Sequence, residues 1–158
     1  GMVMNEQKCD GIKASMSGMG QPAKVVASNE EGYNDVADNA PIFEHMDYAS
    51  KGYITEIKGK EDVNGESCYK VAVTDDKGKM QMQYFSVKTS LLLKTDINQG
   101  EGEEMQTIST EMKDYKEVDG ILLPHEVVIN GAAPFPLAMK ISSYVLNGAI
   151  NDAEFEVK

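Results

Sequence analysis

Two histidines, His45 and His125, are all the imidazole the chain has. Any general base, nucleophile partner or nitrogen ligand of that type must come from one of them. His45 stands in Phe43-Glu44-His45-Met46-Asp47 with no second histidine four residues away, so the helical zinc-protease pair is absent. His125 follows Pro124 in a strand-like run, and Glu126 beside it points to the opposite face. No nucleophile elbow frames a serine, and no G-x-x-x-x-G-K-[ST] loop occurs. Gly18, Gly20, Gly100 and Gly102 lie in loops without a strand-to-helix context and read as turn formers. Asp75-Asp76-Lys77-Gly78 lacks the rest of a calcium loop and reads as a hairpin turn. Cys9 and Cys68 allow at most one internal disulfide and fit no metal spacing, so two independent thiols are the expectation. No catalytic residue, metal site or cofactor is expected, and the chain does not read as an enzyme.

What must be positioned is therefore apolar. The 158 residues are expected to form one domain, 1–158, with 41% apolar residues to build a core. Charge narrows the partners: 26 acidic against 15 basic residues give a net charge of −11. That disfavours nucleic-acid backbones and anionic membrane surfaces, both of which need clustered Lys and Arg. No apolar run is long enough to span a bilayer. The opening, GMVMNEQKCDG, lacks the basic and apolar regions of a signal peptide, while Val3 and Met4 already read as strand. A piece of a longer chain is expected.

The elements follow from period and turn chemistry. Strands are expected at 2–8 and 11–17 around Asp10-Gly11. Ser28-Asn29-Glu30-Glu31 has the form of a capping box, and Tyr33, Val36, Ala37 and Ala40 follow at helical spacing. A second short helix is expected from Pro41 to Met46. From Lys51 the period becomes two, with turns at Asn64-Gly65 and at 75–78, and further strands at 80–85, 91–97, 107–118, 121–129 and 137–146. The stretch 107–129 folds about Asp119-Gly120, a dipeptide whose two residues tolerate positive φ. About nine strands linked by short turns predict an antiparallel meander.

Ten methionines and no tryptophan give that meander a soft apolar inventory. Met16, Met19, Met80, Met82, Met105, Met112 and Met139 fall on or beside expected strands. They fill an ordinary core, or they line a surface that adapts to acyl chains and other apolar partners. A curved open sheet can do both.

Residues 51–129 resemble the C-terminal half of the outer-membrane lipoprotein-sorting (LolA-like) proteins of Bacteroidetes-type bacteria. The pieces that carry the resemblance are Lys51-Gly52-Tyr53, Gly59-Lys60-Glu61-Asp62-Val63-Asn64-Gly65, Cys68-Tyr69-Lys70-Val71, Tyr84-Phe85 with Leu91-Leu92, Asp114-Tyr115-Lys116-Glu117-Val118-Asp119-Gly120, and Leu123-Pro124-His125. Gly11-Ile12-Lys13-Ala14 and Met19-Gly20-Gln21 look more like the version appended C-terminally to insulinase-like zinc proteases. The resemblance implies a mainly β, α+β fold: an incomplete antiparallel half-barrel cupping one or two short helices, here without the family's N-terminal helix and first strands. It implies a non-enzymatic periplasmic or cell-envelope domain that takes an acyl chain or other apolar ligand. The alternative is a structural or interaction domain covalently linked to a zinc protease. The expected apolar lining is Tyr53, Ile57, Tyr69, Val71, Met80, Met82, Tyr84 and Met112. A truncated open sheet leaves strand edges unpaired, so a strand-mediated homodimer is also expected.

Overall fold

The computed structural model describes residues 5–18, 22–30, 32, 33, 36, 48–100 and 105–157. Two compact units divide the chain: residues 1–47 with 147–158, and Tyr48–Leu146.

In the first unit, β1 (Asn5–Cys9), β2 (Lys13–Gly18) and β3 (Lys24–Ala27) form an antiparallel sheet in that order. The expected turn at Asp10-Gly11 closes β1 on β2. One Asp10 carboxylate oxygen accepts the backbone N–H groups of Lys13 at 2.7 Å and Ile12 at 2.8 Å, while Gly11 supplies φ 88°. Those two bonds hold the Asp10 carboxyl below its ordinary range. β3 was not expected: its four residues, set between Pro22 and the Ser28 turn, are too few to show a period. It earns its place by pairing Val26 with Ala14, both buried. At the expected capping box, the Glu30 carboxylate accepts the Ala27 N–H at 2.9 Å and the Glu30 N–H returns a bond to the Ala27 carbonyl. Glu31, the expected partner of Ser28, lies outside the described residues. So do positions 2–4, most of the first expected helix and all of the second; Tyr33 and Val36 are helical. The tail adds one 3-10 turn, Asp152–Glu154, capped by the Asn151 side chain.

The second unit is one seven-stranded sheet: β4 (Ile54–Val63), β5 (Glu66–Thr74), β6 (Met80–Ser86), β7 (Leu92–Gln99), β8 (Gln106–Val118), β9 (Ile121–Asn130) and β10 (Leu137–Lys140). Spatial order follows chain order, every pair is antiparallel, and the sheet is not closed. This is the expected meander. Its tight turns use the residues that tolerate a left-handed backbone: Asn64-Gly65 at φ 55° and 86°, and Asp119-Gly120 at φ 49° and 84°. The architecture is thus mainly antiparallel β with open sheets, and the helical contribution among the described residues is minor. The last strand is shorter than the expected 137–146. After Lys140 the chain follows β9 by the Ile141 N–H to the His125 carbonyl and by the Tyr144 hydroxyl to the Pro124 carbonyl.

Candidate functional site

Directly paired residues in an antiparallel ladder point to the same side, so the register sorts every side chain of the second unit onto one of two faces. One continuous row runs Ile57, Val71, Gln83, Thr95, Thr110, Ile129, Leu137 across all seven strands. Flanking rows on this side bring Tyr69 to Phe85, Val73 to Gln81 and Ile97 to Ile108, with Met112, Val127 and Met139 beyond. This is the apolar face. The opposite face carries Cys68, Lys70 and Ala72 beside Ser86, Tyr84 and Met82, then Lys94 and Asp96, then Ser109, Glu111 and Lys113.

The eight residues expected to line one cleft therefore do not share a face. Ile57, Tyr69, Val71 and Met112 lie on the apolar side, whereas Met80, Met82 and Tyr84 lie on the other. Tyr53 precedes β4 and stacks on Tyr48 with ring centroids 5.3 Å apart. The cause of the split is one residue in a turn. A loop over 75–78 would set Val71 opposite Met82 and Tyr69 opposite Tyr84. The loop instead takes in Lys79: Asp75 donates its N–H to the Lys79 carbonyl, and its carboxylate accepts the N–H groups of Lys77 and Lys79. Thr74 then faces Met80, and every β6 side chain changes sides. Ile57 reaches the apolar face through a second irregularity, the bulge between Ile57 and Gly59, where Gly59 holds φ 128°.

The centre of the apolar face is buried and its margins are open. Val73, Gln83 and Thr95 are buried, while Ile57, Tyr69, Leu137 and Met139 are exposed and Val71, Ile97, Ile108, Met112, Val127 and Ile129 are half-buried. Gln83 is the polar group in the middle. Its amide N–H donates to the Tyr48 hydroxyl at 2.8 Å, and its carbonyl oxygen is the one buried side-chain acceptor without a partner among the described residues. Alternation does not reveal Tyr48 or Gln83 as members of this face; only the register does.

The opposite face is self-contained. Val63, Cys68 and Tyr84 form a small core with Met82 and Leu93. A ladder of charge runs outward from it. Lys70 pairs with Glu61 at 2.8 Å and lies over the Tyr84 ring; Lys94 pairs with Asp96 at 2.9 Å and lies over the same ring. Asp96 also accepts the Tyr84 hydroxyl at 3.0 Å and the Ser109 hydroxyl at 2.5 Å. Burial works against the Asp96 charge, but these hydrogen bonds win and hold its carboxyl below the ordinary range. Glu111, bonded first by Lys113 and then by Asn64, is lowered too. Burial, reinforced by Glu66 and Asp62, pushes the Cys68 thiol up, so it is a poor nucleophile. Cys9 and Cys68 are both free thiols. No group of three metal-ligating side chains occurs among the described residues.

The first unit has its own small cleft of about 140 Å³, lined by Met16, Lys24, Val26, Gly32 and Val36. That is well below the several hundred Å³ of ordinary ligand pockets. Among the described residues no helix is long and apolar enough to cross a membrane.

No family model matches the chain, and neither does any curated protein. Solved structures do. A LolA superfamily protein from Nitrosomonas europaea superposes with a TM-score of 0.51 at 10% identity, over 92% of this chain and 70% of that one. A DUF1329 family protein from Desulfovibrio piger gives 0.55 at 18% identity, over 91% of this chain and 68% of that one. At such identities what is common is the backbone path, and the chain has the LolA-like fold.

Proposed function

We propose that the chain is a non-enzymatic domain of the bacterial cell envelope that takes an acyl chain or another apolar ligand against the seven-stranded sheet. The observation that carries the reading is the set of apolar side chains on one side of that sheet, Tyr69, Val71, Ile97, Ile108, Met112, Val127 and Ile129 with Ile57 and Met139 at the open margins, around a polar centre of Gln83, Thr95 and Thr110. Aliphatic and thioether side chains there offer area without direction, which suits a flexible chain of methylenes at roughly 0.8 kcal/mol each. The LolA-like fold supports the same reading.

The test is a native mass spectrum of the purified protein, followed by displacement of a fluorescent fatty acid. Binding is expected, weakened tenfold or more by Met112→Glu on the apolar face and unchanged by Met80→Glu on the other. A bare protein mass with no fatty-acid uptake would overturn the reading and leave the chain as an interaction domain of a larger protein.

A further inference from the structure

β4 is the terminal strand of the seven-stranded sheet and pairs only with β5 among the described residues. Ten residues long, it is exposed from Ile54 through Asp62, and Ile54 and Ile57 each keep 68% of their surface in water. An open edge offers a row of unpaired N–H and C=O groups to another strand. We infer that this edge pairs with the β4 edge of a second copy of the chain, antiparallel, about a two-fold axis through Ile57.

The register follows from symmetry and charge. A two-fold axis perpendicular to two antiparallel edge strands sets a residue opposite its own mate and places neighbours symmetrically about it. Centred on Ile57, Ile57 meets Ile57, and Glu56 faces Lys58 on both sides of the axis. Centred on Glu56 or Lys58, the strand would bring like charges together at the axis; centred on Gly59, Lys58 would face Lys60 twice. Like charges directly opposite destabilise a ladder and opposite charges support it. Glu56 and Lys58 already sit on a common side, 2.6 Å apart within one chain, with 65% and 40% of their side chains exposed. The bulge places its extra residue, Lys58, inside this stretch and interrupts the ladder there, so the association is weak and shows itself only at high concentration. It does not depend on whether the apolar face holds a ligand.

Sedimentation of the whole chain from micromolar to millimolar concentration tests the inference. A monomer–dimer equilibrium is expected. Glu56→Lys or Lys58→Glu alone should raise its dissociation constant tenfold or more, and the two together should restore it, because the exchanged charges again face opposite signs. Thermal unfolding of each variant verifies that the monomer is intact. Ile57→Cys should give a dimer crosslinked at position 57, located by peptide mapping. A monomer at every concentration, a dimer indifferent to both reversals, or a double variant that stays monomeric would overturn it.

Discussion

The two faces of the seven-stranded sheet solve the same burial problem differently. On the charged face, Lys70 pairs with Glu61, Asp96 gathers Lys94, Tyr84 and Ser109, and the same side holds a compact Val63–Cys68–Tyr84 core. On the apolar face the centre is buried, the margins are open, and Gln83 keeps an acceptor unmatched. The lesson is that a face complete in itself stabilises the fold, whereas an incomplete one is where a ligand gains most.

That contrast can be broken in order of expected effect. Val73→Asp would place an unpaired carboxylate under the centre of the apolar face, where only 1% of Val73 is exposed. It should cost roughly 4 kcal/mol and shift the urea midpoint sharply downward. Asp96→Ala would strand Lys94, the Tyr84 hydroxyl and the Ser109 hydroxyl together. About 2 kcal/mol should be lost, and Asp96→Asn should lose less. Because Asp96 and Glu111 titrate below their ordinary values, their contribution is present above about pH 4 and disappears as pH falls through the lowered values. Denaturant titrations from pH 6 to pH 2 should show this, with a flatter profile in Asp96→Asn.

The smallest effect lies at the alkaline end. Burial pushes the Tyr115 hydroxyl up to about 12, while the hydroxyl donates to the Leu92 carbonyl, oxygen to oxygen 2.5 Å. A raised folded value means stability that is complete below pH 10 and fades as pH rises toward 12. Tyr115→Phe should narrow that window, leaving the smaller part due to Tyr84, which burial also raises, measured as the unfolding midpoint at pH 9 and pH 11.

Much of this architecture was legible in the residues themselves. Asn64-Gly65 and Asp119-Gly120 close the hairpins that their chemistry demands, and the order of strands follows from short connections. Side-chain facing was not legible. The Asp75 turn looks complete at Gly78, yet its carboxylate also captures the Lys79 N–H, and that one residue sends Met80, Met82 and Tyr84 to the charged face. The bulge at Gly59 works likewise, moving Ile57 without altering the strand's period to the eye. β3 leaves no periodic signal because Val25 and Val26 make too short a run, and nothing in alternation marks Gln83 as a buried amide.

The β8–β9 hairpin has a consequence for how the sheet moves. β8 pairs with β7 only from Gln106 to Glu111, and β9 pairs with β10 only from Glu126 to Ile129. Beyond Asp114, which bends the long strand at φ 52°, the ribbon from Tyr115 to Pro124 has just its two strands among the described residues. Two strands alone are barely stable in water. What tethers this ribbon is a pair of phenols, Tyr115 to the Leu92 carbonyl and Tyr144 to the Pro124 carbonyl. Its amides should therefore exchange with deuterium well before those of β5 and β6, opening as a separate unit while the rest of the sheet stays shut.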